Sequence, residues 1–288
     1  MLPSIESLTQ SKNGLLKQDI VCQSMDKDIC NSLALEIPCI SYQSMKRSSR
    51  VLREFVLYYF PLYNLSWSDF FRFYPILGFM EALVYETDEE VEQIQATNCL
   101  LKQHSPWKTK QEIILAVLEK SNFKHHQVET YLDNLGEYFE LETHLLISPK
   151  ITHEEIMKAA QLRSSDYRFL HCTLLKMLGQ NFHDEELNQE LRLMWSLEVL
   201  NDIEDDIESY EKDVATKHYN TYRMFVKIYG QQAPYYLKKE LDYYEHLFHQ
   251  GVEKISDNPL KYQGFQKSWN AYRLDHPVPL IPQPILEN

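Results

Sequence analysis

Glycine is scarce in this chain, with only seven among 288 residues. A β-rich fold needs tight turns at short intervals, so the shortage argues against sheets and for long helices. Basic residues are also in deficit. Lys and Arg total 29 against 42 Asp and Glu, a formal net charge of −13. Nucleic-acid binders and membrane-surface binders need a basic face, so neither partner is expected. No apolar run reaches the ~18 residues of a membrane span, and the N-terminus has no apolar signal core, so stable membrane insertion is not expected. The five cysteines, at 22, 30, 39, 99 and 172, form no Cys-x-x-Cys pair. They read as reduced thiols, which makes a cytoplasmic location the expectation. Dinucleotide (GxGxxG), P-loop, nucleophile-elbow (GxSxG) and HExxH patterns are absent, and His125 and His126, being adjacent, point to different faces of a helix.

What is present is a globular composition, 44% hydrophobic and 25% charged, with 12% aromatic residues. Residues 1–41 are Ser-rich with weak periodicity and read as a leader packing on the core. Residues 42–275 are helical in pattern almost throughout, and 276–288 form a Pro-rich tail. One helix ends at Pro61, and the next starts at a Ser66 cap and runs past Pro75, where a kink is expected. Thr152 and Glu155 form a capping box opening a helix that should run to Gly179. No repeat or linker divides the chain. The expectation is an all-α, single-domain helical bundle of eight or more helices.

The segment 198–213 holds eight acidic residues in sixteen positions. On a helical wheel at ~100° per residue, Asp205, Ser209 and Asp213 form one stripe at i, i+4 and i+8, with Leu200, Ile203, Ile207 and Tyr210 opposite. Like charges at this spacing repel by a few tenths of a kcal/mol per pair. A wet face tolerates that repulsion, and a divalent cation removes it. Ser209 is a mediocre helix former, but its hydroxyl can complete a magnesium shell. Mg²⁺ takes one or two protein carboxylates plus phosphate oxygens, so a second acidic cluster and arginines should accompany it. "ETDEEVEQ" supplies Asp88, Glu89 and Glu92, and "QLRSSDYR" supplies Arg163 and Arg168.

These residues resemble the class I isoprenoid synthase superfamily. "DDIESYEKD" is similar to the second metal motif of class I terpene synthases. Asp205, Ser209 and Asp213 fall in the ligand positions and Lys212 precedes the last one; Asp213 stands where the family pattern has Glu. "TDEEVE" is closer to the first motif of squalene and phytoene synthases, with Asp88 and Glu92 in its acid positions. The resemblance spans roughly residues 42–275. It implies the helical fold of that superfamily, Mg²⁺ (three ions with substrate diphosphate) and a prenyl diphosphate substrate, and it leaves a homodimer open. Arg163 or Arg168 would sense the diphosphate, with Lys212 adding a point charge. Tyr272 and Arg273, in reversed order, would be late diphosphate contacts.

An allylic cation formed by such chemistry needs an apolar, aromatic cup. Phe70, Phe73, Tyr74, Phe79 and Tyr85, leading into the first motif, and Trp195, on the face of the Asp205 stripe, are its expected walls. The leading functional expectation is a terpene synthase, a carbon–oxygen lyase. A prenyltransferase of the same fold is the alternative, and a non-catalytic helical interaction protein with a wet acidic helix is the third reading.

Overall fold

The computed structural model describes residues 40–96, 106–179 and 184–287. Most of the expected leader (1–39) lies outside them, as do Cys22, Cys30, Cys39 and Cys99. Among the described residues there are ten α-helices, two short 3-10 turns and no strand. The all-α expectation is met.

Helix α1 (Tyr42–Tyr59) is capped by Ser41, whose side chain accepts from the Ser44 amide. Its apolar stripe, Val51, Leu52, Phe55, Val56 and Tyr59, is buried. A 3-10 turn, Phe60–Tyr63, follows, with Pro61 at its start and Asn64 left-handed at its end. Pro61 supplies no amide to continue the α-helix, so the chain turns. Helix α2 (Trp67–Ala96) runs through Pro75 as one 30-residue element. Next come α3 (Trp107–Lys120) and α4 (His126–Ile147).

The capping box at Thr152 and Glu155 is formed and opens α5 (His153–Arg163). The single helix expected from there to Gly179 is not. The chain breaks at Ser164 and restarts as α6 (Ser165–Met177). The Ser164 hydroxyl donates to the Gln161 carbonyl (3.1 Å), and the Arg168 guanidinium takes the same carbonyl (2.6 Å) and Ser164 Oγ (2.7 Å). Side-chain groups thus satisfy backbone and hydroxyl positions at the break, as Ser residues in helices commonly do.

Helix α7 (Asp184–Thr216) is 33 residues long, followed by α8 (Thr221–Tyr229), α9 (Ala233–Glu253) and α10 (Pro259–Asp275). A 3-10 turn, Gly230–Gln232, links α8 to α9. Helix α1 packs on α2 and α10, α4 on α5 and α6, and α7 on α9 and α8. Helix α7 is central. Leu200, Ile203, Ile207 and Tyr210 are buried on one side, and Glu198, Asn201, Asp202, Glu204 and Asp206 are buried as well. Residues 276–287 are extended. Tyr222 donates to the Pro282 carbonyl (2.6 Å), the Ile285 amide donates to Tyr210 Oη (2.8 Å), and Arg223 pairs with Glu287 (2.6 Å). No helix among the described residues is long and apolar enough to cross a membrane.

Candidate functional site

A cavity of about 720 Å³ is bounded by α1, α2, α4 and α7 and by the α5–α6 break. Its second wall from the chain start is the end of α2, which presents Tyr85, Asp88, Glu89 and Glu92. These positions share a face because they recur at three and four residues. Facing them is α7, which presents Asp205, Asp206, Ser209, Lys212 and Asp213. The two acidic segments, more than a hundred residues apart in sequence, therefore line one cavity. Arg163 and Asp166 reach it from either side of the Ser164 break.

The α7 wall is held in place by hydrogen bonds. Ser209 Oγ donates to Asp213 Oδ2 (2.5 Å), and Asn220 Nδ2 donates to the same oxygen (3.0 Å) and to the Asp206 carbonyl (2.6 Å). Asn220 also caps α8 by accepting from the Arg223 amide (3.0 Å). Arg163 is pinned by Asp206 (Nη1–Oδ1, 2.8 Å) and lies 3.6 Å from Asp202. The other Asp206 oxygen accepts from the Thr221 amide (2.7 Å) at the start of α8. A carboxylate at a helix N-terminus gains from the exposed amides there.

On the opposite wall, Arg47 of α1 pairs with Asp88 (2.5 Å), lies 3.8 Å from Glu92 and sits over the Tyr85 ring at 4.6 Å. Arg50, one turn on, pairs with Asp205 (2.9 Å) and with Glu54 (3.1 Å). Burial and then the adjacent Asp88 charge raise the Glu92 carboxyl; Arg47 and Lys212 oppose the rise, and Asp213 adds to it. Glu92 on α2 thus feels charges carried by α7.

The remaining wall is largely aromatic. Leu135, Tyr138 and Phe139 of α4 line it together with Val84, Tyr85 and Tyr219. Burial holds the Tyr85, Tyr138 and Tyr219 phenols above their ordinary value. They present neutral rings. Glu142, also on this wall, is raised by burial and then by Asp88, and it accepts from Gln95 Nε2 (3.0 Å).

Of the residues singled out in sequence, Asp88, Glu89, Glu92, Arg163, Asp205, Ser209, Lys212, Asp213 and Tyr85 line the cavity. The others do not. Arg168 staples the α5–α6 break and lies 3.3 Å from Glu198. Tyr272 and Arg273 both donate to Glu204, Arg273 at 2.8 Å. Phe73 packs in the core edge-on to Phe60, and Phe79 packs half-buried against the core. Trp195 lies edge-on to Tyr244 of α9. It shares the wheel angle of the Asp205 stripe but sits ten residues away, ~15 Å along the axis. Phe73 and Phe79 are displaced from Asp88 along α2 for the same reason.

Sequence reasoning missed Arg47, Arg50, Tyr138, Phe139, Asn220 and Tyr219. Arg47 and Arg50 carried a usable signal, an i,i+3 arginine pair on a helix in a chain short of basic residues. Asn220 carried another, as an N-cap residue before "TYRMF".

Among the described residues no group of three or more carboxylate, histidine or cysteine side chains is placed to hold a metal ion by itself. Mg²⁺ does not require one, because it keeps waters and takes its remaining ligands from phosphate. The donor chemistry fits this ion: carboxylates and a hydroxyl on two facing helices. One oxygen of Glu89 is also buried without a hydrogen-bonding partner.

No protein-family model, no curated protein and no solved structure matches this chain.

Proposed function

We propose that this chain is a Mg²⁺-dependent terpene synthase of the class I isoprenoid synthase type, a lyase that ionises a linear prenyl diphosphate and releases diphosphate. One observation carries the reading. The acidic ends of α2 and α7 line the same cavity, with Arg163 and Lys212 beside them and an aromatic wall opposite. A cavity of about 720 Å³ lies within the range of small-molecule sites.

Asp88, Glu89 and Glu92 on α2, and Asp205, Ser209 and Asp213 on α7, would hold Mg²⁺. The ion, when bound, supplies Lewis-acid stabilisation of the charge that develops on the departing diphosphate. Arg163 offers a planar fork matched to phosphate oxygens, fixed in orientation by Asp206. Lys212 would add a positive charge on the α7 wall. Tyr85, Tyr138, Phe139 and Tyr219 would surround the hydrocarbon chain. Their faces stabilise a cation by ~0.5–2 kcal/mol each, and their bulk keeps water from quenching it. The phenols stay protonated at neutral pH, so they do not trap the cation as phenolates.

The test is incubation with Mg²⁺ and prenyl diphosphates of increasing chain length, measuring released diphosphate and organic-extractable product together. The expected result is release with a defined product for one length, and a loss of roughly 100-fold or more in Asp205→Ala, the scale of removing an electrostatic stabiliser. Release that needs a second substrate would make the chain a prenyltransferase. Absence of release at every length would sink the enzymatic reading.

A further inference from the structure

Arg47 and Arg50 are cavity arginines that lie outside both acidic motifs. Both lie on α1, and each reaches a different acidic wall. Arg47 Nη2 meets Asp88 at 2.5 Å, and Arg50 Nη2 meets Asp205 at 2.9 Å. These two carboxylates head the two acidic motifs. Guanidinium groups thus stand against carboxylate oxygens that a divalent cation would need. Neither arginine is sequestered, since their side chains are 32% and 58% exposed.

Arg50 bridges two carboxylates. Its Nε is anchored 3.1 Å from Glu54, a carboxylate only 2% exposed and itself held by the Tyr167 hydroxyl at 2.9 Å. Nη2, beyond that anchor, is the nitrogen that meets Asp205. Arg47 rests over the Tyr85 ring, with its guanidinium carbon 4.6 Å from the ring centroid.

We propose that Arg47 and Arg50 are exchange ligands. They neutralise Asp88 and Asp205 while the cavity holds no metal, then transfer to the diphosphate when Mg²⁺ takes those carboxylates. The inference rests on the magnesium–diphosphate reading above and names residues that reading did not need. The charges balance at each stage. Without metal, two guanidinium ions face two carboxylates. With metal and diphosphate, the carboxylates face cations, and the guanidinium ions face phosphate oxygens, which they bind in two-pronged fashion. The arrangement also keeps metal from binding tightly in the absence of substrate, because Mg²⁺ alone must displace an arginine that has no new partner.

The experiment is calorimetric titration of the full chain with MgCl₂ alone, and with inorganic diphosphate in the presence of MgCl₂. The variants are Arg47→Ala, Arg50→Ala and Arg50→Lys. Arg53→Ala is the control, because Arg53 sits on the same helix but pairs with Asp275 (2.6 Å) away from the cavity. Exchange predicts a crossed signature. Arg47→Ala and Arg50→Ala bind Mg²⁺ alone about tenfold more tightly and Mg²⁺–diphosphate about tenfold more weakly. Arg50→Lys retains the weak binding of Mg²⁺ alone but loses diphosphate affinity, and it serves as the test should an alanine variant fail to fold. Arg53→Ala behaves as wild type in both titrations.

Affinities within twofold of wild type, with only a lower denaturation midpoint, would overturn the inference and leave the functional reading standing. Tighter diphosphate binding in the alanine variants would make the arginines simple plugs and overturn exchange. A wild-type protein that binds no diphosphate with Mg²⁺ overturns the functional reading and the inference together.

Discussion

Arg163 lies between Asp202 and Asp206, both buried. Removing one member of a buried ion pair leaves an uncompensated charge and costs about 3–5 kcal/mol. Arg163→Ala should therefore lower the thermal midpoint by about 10 °C at this chain length. Its loss of activity alone would say nothing about diphosphate. Arg163→Lys keeps the charge and loses the fork. It should melt within about 5 °C of wild type yet bind Mg²⁺–diphosphate roughly tenfold more weakly, given the value of charge-assisted, two-pronged contacts. Unchanged diphosphate affinity in a folded Arg163→Lys protein would reduce Arg163 to a structural pin. At this scale the sequence was informative for residues whose neighbours lie on the same helix. Asp205, Ser209 and Asp213 share a face by spacing alone, and the cavity takes all three. It was uninformative for Asn220 and Arg50, whose roles depend on partners in other elements: Asn220 reaches back to Asp206 and Asp213, and Arg50 crosses from α1 to α7.

At the scale of elements, α4 carries much of the aromatic wall, and it meets α3 at one close approach. A Cβ on Gly136 would lie 2.9 Å from Trp107 Cδ1. The Trp107 ring cannot yield easily, since it is 2% exposed and its Nε1 donates to the Leu132 carbonyl at 2.7 Å. Ala is the better helix former by ~1 kcal/mol, while overpacking costs ~1–3 kcal/mol. Gly136→Ala should thus be net destabilising, with a midpoint lower by roughly 2–6 °C. A higher midpoint would mean that α3 and α4 are not wedged at this contact. Because Phe139 packs on Trp107 (5.6 Å) and also lines the cavity, the same variant should disturb the aromatic wall. The helices themselves were legible from apolar periodicity and from Pro and Ser punctuation. The break at Ser164 was not. A Ser pair inside a helical pattern is compatible with continuation, and here Arg168, reaching back to Gln161 and Ser164, fastens the interruption. The aromatic cup was misplaced for a related reason. A helical wheel gives the angle of Trp195, Phe73 and Phe79 but not their distance along the axis from the acidic ends.

The whole molecule buries many carboxyl groups, and this reverses the usual dependence of stability on pH. Burial is the first cause raising Glu54, Glu81, Glu142, Asp166, Glu198, Asp202 and Glu204 above the ordinary carboxyl range. Glu198 is pushed up to about 8 even though Arg168 and the Tyr59 hydroxyl both pull it down. A carboxyl raised in the fold holds a proton that the unfolded chain has released. Between the ordinary carboxyl value and about pH 8, the folded state therefore binds more protons than the unfolded one. The stabilisation is complete below the ordinary value and is lost as pH rises through the raised one. Glu86, Glu190 and Glu287 are lowered and act in the opposite sense, but only in the acid range below their ordinary values. The net charge of −13 adds self-repulsion at the alkaline end. The metal-free protein should accordingly have a higher denaturation midpoint near pH 5.5 than near pH 8, and a midpoint that is flat or rising over that interval would refute the account. Glu198→Gln copies the protonated acid in shape and charge. Near pH 6 it should melt within a few degrees of wild type, and near pH 8 it should melt higher, because the variant has no proton there to lose. If Glu198→Gln instead destabilised the protein equally at both values, Glu198 would be ionised throughout, and the Arg168 pair rather than burial would govern it.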